Sequence, residues 1–214
     1  MNECDRNHET CRKFKTQGNY FPTRIIDVLH GDSDQVCLYI KEGQSQGEKD
    51  DAACKQPSDH AVYFTLSHRW GDSSKLPKLT LNNVSDLQKG FTLTSLPKTF
   101  QDAINLVRRL GYHYLWIDAL CIIQDSVQDW QSESSSMSDI YSHSFCNISA
   151  TAADNPEKGL FRNRIPRLLY PVRIDYVYAS RERQPVTRYC RQYNHQIWID
   201  AISKAPLAKR GWVS

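Results

Sequence analysis

The chain has 214 residues, 40% of them hydrophobic and 11% aromatic, which is enough to bury a core and too much for a disordered chain. Lys and Arg number 27 against 24 Asp and Glu, and the basic residues are scattered among the acids, so the electrostatic footprint of a nucleic-acid binder is missing. The longest apolar run, Tyr114 to Ile123, is interrupted by Asp118 and is far shorter than the ~20 residues of a membrane-spanning helix.

The start, MNECDRNHETCRKFK, is too polar for a secretory signal. Together these features predict a cytoplasmic protein with neither membrane nor nucleic acid as partner. The 7 cysteines, widely spaced and odd in number, are expected as reduced thiols. Cys4, His8 and Cys11 offer ligand types without the rest of a zinc pattern, so no metal is expected.

Residues 1–20 read as a polar tail. In 21–60, Arg24–Val28 and Val36–Ile40 flank the turn-rich HGDSD and predict a β-hairpin, and the polar stretch 41–59 predicts a flexible surface loop. The core is expected over 61–165. Ala61–Ser67 is a short apolar, aromatic and β-branched run of the kind that forms a buried strand. Phe100, Ala103, Ile104, Val107 and Leu110 share one helical face, with Pro97 before it and Gly111 after it.

Tyr114–Asp118 predicts a second buried strand, about 127–142 a second helix, and Phe145–Ala150 a third strand. Alternating strands and helices at short connections imply right-handed crossovers and a doubly wound, parallel α/β sheet. Beyond it, 166–214 reads as a C-terminal extension. There 169–178 and 186–193 alternate apolar with charged residues, as solvent-facing antiparallel strands do.

Ligands of parallel α/β sheets bind beyond the carboxyl ends of the strands, which directs attention to two segments. Ser67, Arg69, Trp70, Gly71 and Asp72 combine a hydroxyl, a fixed cation, a flat aromatic, a close-approach glycine and a carboxylate. They suit a phosphate and a stacked ring, or else Trp70 plugs the core and Arg69 pairs with an acid. After the second strand come Asp118, Cys121 and Gln124. Asp118 either accepts hydrogen bonds from ribose hydroxyls or caps the following turn, and Cys121 reads as a small buried hydrophobe before a nucleophile.

On the wheel of the second helix, Trp130, Met137, Ile140 and Tyr141 define an inward face that also carries Glu133. A carboxylate on an apolar face has a raised pKa and needs a partner. It is either a catalytic candidate or a satisfied core acid paired with Arg69 or a capping amide.

The segments YFTLSHRWG (63–71), LPKTFQDAI (96–104), LGY (110–112), YLWIDALCIIQD (114–125), Asp129-Trp130, Met137, Ile140-Tyr141 and Gly159-Leu160-Phe161, in this order and spacing, resemble the fungal heterokaryon-incompatibility (HET) domain family. The leading hairpin and the closing Pro206-Leu207 and Arg210–Val213 are similar to the flanks of such proteins. Members usually continue past the Arg-Gly-Trp segment, so a truncated or partial product is expected, with an inactive fragment as one alternative function. The resemblance implies a role in triggering cell death on nonself recognition between fungal strains. It further implies a distant likeness to Toll/interleukin-receptor (TIR) domains and a TIR/flavodoxin-like core. Many TIR domains cleave NAD at the nicotinamide–ribose bond with a helix-borne Glu, which here would be Glu133, with no cofactor and with NAD as the substrate. Other TIR-like modules are non-enzymatic adaptors, whose partners would be a second copy or another signalling protein.

Overall fold

The computed structural model describes residues 20–32, 34–41, 56–58, 61–163 and 199–209, together with Asn7 and Cys54. Its centre is a six-stranded sheet with β1 at Arg24–Asp27, β2 at Gln35–Ile40, β3 at Tyr63–Ser67, β4 at Phe91–Thr92, β5 at Tyr114–Trp116 and β6 at Cys146–Ser149. The strand order is β4-β2-β1-β5-β3-β6. β3 pairs in parallel with both β5 and β6, through Phe64↔Leu115 and Phe64↔Cys146. The expected parallel core is therefore present as three strands.

The sheet as a whole is mixed, which corrects the expectation of a purely parallel one. β1 pairs antiparallel with β2 and with β5, where Ile26 faces Leu115. The predicted hairpin is thus continuous with the core sheet. Its strands read as apolar and β-branched in sequence because residues 24–27 and Val36–Tyr39 are all buried.

Among the described residues four α-helices accompany the sheet: α1 at Val84–Lys89, α2 at Lys98–Arg109, α3 at Asp118–Cys121 and α4 at Val127–Ser142. Alternation along β3 sorts α2 and α4 onto opposite faces. Tyr63 donates its hydroxyl to the Ile140 carbonyl of α4 at 2.7 Å, whereas Phe64 packs on Tyr112 just after α2, with ring centroids 5.0 Å apart. His68 continues the Phe64 side and meets the Phe100 ring of α2 edge-on. Trp116 of β5 faces Tyr141 of α4 at 5.6 Å.

α2 buries Phe100, Ala103, Ile104 and Val107 as its spacing predicts, but Leu110 caps the helix and is exposed. α1 and β4 were not legible. The first has six residues and buries none, and the second has two, so neither gives a period to read.

Against the expectation of seven reduced thiols, Cys37 of β2 and Cys54 form a disulfide with 6.2 Å between their Cα atoms. Their 17-residue separation crosses a segment without regular sequence signals, so only the fold discloses the pairing. The predicted tail, most of the predicted loop and the strands expected at 169–178 and 186–193 lie outside the described residues. In the described part of the extension, Ala205 and Leu207 are buried, and the Leu207 amide donates to the Thr151 carbonyl beyond β6. Among the described residues no helix is long and apolar enough to cross a membrane.

Gly159 ties the segment after β6 to α2. Its φ of +74° is a left-handed conformation, its amide donates to Thr99 Oγ1, and a Cβ built there would stand 2.5 Å from Asp102 Oδ2. Asp102 is itself engaged by Lys98 and by the Leu160 amide. Gly159→Ala is expected to cost at least the roughly 1–2 kcal/mol of left-handed backbone for an L-residue, with displacement of Asp102 added. The midpoint of urea unfolding measures it.

Candidate functional site

The carboxyl ends of β3 and β5 converge because the two strands run parallel in register. β3 delivers His68 and Trp70, and β5 runs into Asp118, where the chain turns directly into α3. Asp118 is 5% exposed and well satisfied. Trp70 Nε1 donates to its Oδ2 at 2.9 Å, the Ala119 amide donates to its Oδ1 at 2.8 Å, and His68 Nδ1 stands 3.7 Å from Oδ1. Asp118 opens α3 and accepts the Trp70 indole. His68 is buried against Phe100 and was not among the sequence candidates. The signal that could have found it was present, since it continues the inward alternation of Phe64 and Leu66 past the end of β3.

A second cluster lies at the other end of α3, around Arg24 of β1. Because β1 runs antiparallel to β5, the start of β1 comes to the end of β5, which places a cation there. Arg24 is 4% exposed. Its Nε donates to the Cys121 carbonyl at 2.7 Å, its Nη2 is 2.7 Å from each oxygen of Asp129, and the same Nη2 is 3.3 Å from Glu133 Oε1. Asp129 also accepts the Ile123 amide at 2.8 Å, so one guanidinium fastens α3 and α4 to the sheet.

Glu133 is inward and buried as the helix wheel predicts, and its partner is Arg24 rather than Arg69. Burial raises its pKa, opposed by the Arg24 charge and by a hydrogen bond from Thr23. Trp130 departs from expectation. It is 51% exposed because Asp129 is turned inward to meet Arg24, which rotates the next residue away by ~100° on an α-helix. Arg24 and Asp129 escaped the sequence reading because a lone arginine at the start of an apolar strand gives no indication of the helix it will reach.

The remaining candidates are dispersed. Ser67 donates to the Asn147 side chain of β6 at 3.1 Å. Arg69 and Asp72 are exposed, and Asp72 holds the Ser74 amide and hydroxyl, which lowers its pKa. Gly71 has φ +64°, and a Cβ there would come within 2.9 Å of Asn155 Cβ, so the glycine serves a close approach to the loop after β6. Gln124 donates to the Asp118 and Ile122 carbonyls and fixes the turn after α3. The site brings Trp70 to Asp118, and Cys121 through its carbonyl to Arg24 and thence Glu133; Arg69 and Asp72 lie in solvent.

The Cys121 side chain is fully buried, and that burial pushes its thiol up to about 12. Its complete burial fits the small core residue the sequence suggested. Burial likewise raises the phenol of Tyr63, and pushes that of Tyr114 up to about 12. Groups whose pKa is raised by folding give stability that is complete below their ordinary values, 9.0 for the thiol and 10.0 for the phenols, and lost as pH rises through the folded values. The urea midpoint is therefore expected to fall between about pH 9 and 12, with the absorbance of the buried tyrosinates appearing in step with unfolding. Tyrosinate absorbance complete before unfolding would contradict it.

The family model described as Heterokaryon incompatibility protein (HET) matches residues 63–214. Among curated proteins, Heterokaryon incompatibility protein 6, OR allele, of Neurospora crassa is 30% identical over 86 residues, covering 37% of this chain. The match spans 13% of that relative's length. No solved structure matches the chain.

Proposed function

The chain belongs to the heterokaryon incompatibility (HET) family, and from that premise we propose that it acts in fungal nonself recognition as a cell-death signalling module, passing its signal by contact with a second copy or another signalling protein. The observation that carries this reading is the 3.3 Å pairing of Glu133 with Arg24. A carboxylate that must stabilise charge on a departing substrate has to be available to it. Here Glu133 is engaged by a guanidinium that also holds Asp129 and the Cys121 carbonyl, and Asp118 is engaged by Trp70. Both acids at the strand ends have structural duties.

A second reading is NAD cleavage at the nicotinamide–ribose bond, and the place of the inward Glu133 beside the carboxyl end of β5, through Arg24, favours it. The parallel order β5-β3-β6, with helices packed on both faces, supports the TIR/flavodoxin-like core this reading needs. In that chemistry nicotinamide leaves with the bonding pair, the ribose gains oxocarbenium character stabilised by the ionised Glu133, and water adds at the same carbon and releases one proton to the medium. Trp70 is the ring available for stacking.

One pair of measurements separates the two. Concentrated, purified protein is incubated with NAD and nicotinamide is quantified, and Glu133→Gln is expressed in the fungus and scored for growth arrest. The signalling reading expects no nicotinamide and an undiminished arrest. Nicotinamide release that disappears in Glu133→Gln, while the variant keeps a cooperative thermal transition, would replace it by the second reading.

A further inference from the structure

At the turn end of the hairpin, away from the strand-end clusters, His30, Cys37 and Cys54 each offer one donor atom, and these atoms all lie within 4.8 Å of one another. We propose that, once the Cys37–Cys54 bond is reduced, these three side chains hold a single Zn²⁺ ion, with the fourth tetrahedral position open to water.

The chemistry of the donors suits this ion. Two thiolates and an imidazole are the borderline-soft ligands that zinc prefers, and three protein ligands plus an open position is a recognised zinc arrangement. Zn–S distances of about 2.3 Å and Zn–N distances of about 2.0–2.1 Å place tetrahedral donors roughly 3.3–3.8 Å apart. Donors already within 4.8 Å reach that spacing by shifts of an ångström or so. Charge supports it as well. Cys37 is fully buried, where a lone thiolate would be costly, whereas two thiolates neutralise the dication they bind.

In the oxidised chain each donor has a defined neighbour in the fold. Cys37 sits in β2 opposite Asp27 of β1, and its Cα is 6.2 Å from that of Cys54. Cys54 Sγ lies 3.9 Å from the Gln88 carbonyl at the end of α1. The His30 ring rests over Gly90, its Cδ2 and Nε2 each 3.4 Å from where a Cβ would stand. A side chain at residue 90 would crowd the imidazole.

The step balances with a thiol reductant such as glutathione. Two reductant thiols are oxidised to their own disulfide, the Cys37–Cys54 S–S bond breaks, and two protons and two electrons pass to the cysteine sulfurs. Zn²⁺ then displaces both protons as it binds, so affinity rises with pH. The same pair of sulfurs is thereby either a covalent staple or two-thirds of the protein ligand set.

The test uses the full chain, reduced with a phosphine, freed of metal and titrated anaerobically with Co²⁺ and then Zn²⁺. The expected result is one equivalent of Co²⁺ with a thiolate-to-cobalt absorption band, displaced by Zn²⁺. Cys54→Ser and His30→Ala should each weaken Co²⁺ binding by about a hundredfold or more, beyond the roughly 10–100-fold that outer-shell changes cost. The double variant Cys4→Ser/Cys11→Ser should bind as wild type, and the oxidised chain should give no band. His30 is a half-exposed turn residue, so His30→Ala tests the site without removing a core side chain. No thiolate band in the reduced chain, an affinity unmoved by His30→Ala and Cys54→Ser, or a loss confined to the Cys4/Cys11 variant would each overturn the proposal.

Discussion

Arg24→Met is expected to lower the stability of the fold by about 3–5 kcal/mol, the typical cost of removing one partner from a buried ionic cluster. Arg24 is 4% exposed and its guanidinium touches Asp129, Glu133 and the Cys121 carbonyl. Without it two inward carboxylates lose their counter-charge and a buried carbonyl loses a donor. The pH dependence identifies the cause. Burial already raises the Glu133 pKa, and loss of Arg24, which opposes that rise, raises it further. An acid with a raised folded-state pKa stabilises the fold below its unfolded value and loses that contribution as pH rises through the folded value.

The deficit of Arg24→Met should therefore be largest at neutral and alkaline pH and should shrink as the medium approaches the ordinary carboxyl range near 4.5. Denaturant melts across that range measure it. The triple variant Arg24→Met/Asp129→Asn/Glu133→Gln should regain part of the loss, because neutral groups need no counter-charge. A deficit independent of pH would mean that lost packing of the arginine stem, not charge, is responsible.

Phe100→Ala should cost a similar amount, about 3–5 kcal/mol, as complete truncations of buried Phe do. Phe100 is wholly buried on the inward stripe of α2, and its ring meets that of His68 edge-on, with centroids 4.9 Å apart and an interplanar angle of 88°. Its removal leaves a cavity and also takes away the wall against which His68 stands beside Asp118. A shifted urea midpoint at unchanged slope gives the energy, and a displaced His68 imidazole resonance by NMR shows that the cavity reaches the strand ends. Phe100→Leu, which refills much of the volume, should recover most of the stability and less of the resonance position.

The structure shows which kinds of information the sequence carries. α2 and α4 were legible because their apolar positions recur at helical spacing, β3 and β5 because strands buried on two faces read as short unbroken apolar runs, and the edge strand β6 by its alternation about the buried Ile148. The inward aim of Glu133 followed from periodicity alone. Its partner did not, because Arg24 lies 109 residues earlier (133 − 24) and reaches Glu133 only through the antiparallel pairing of β1 with β5. The same limit explains Trp130: a wheel fixes angles between residues on one helix, but Asp129 docking onto Arg24 sets the absolute rotation. The Cys37–Cys54 contact is also non-local and leaves no trace in spacing.

The place of β1 in the sheet also has a practical consequence. The family match begins at Tyr63, yet one edge of β5 is occupied by β1, which begins 39 residues upstream of that point (63 − 24) and outside the match. A polypeptide cut to the matched region would present Tyr114–Trp116 as a bare, apolar ribbon rim with unmet amide and carbonyl groups, a ready template for other chains. Shortening the protein from its amino end past Asp27 should produce a chain that polymerises where the longer one does not, and light scattering of the two lengths side by side would reveal it.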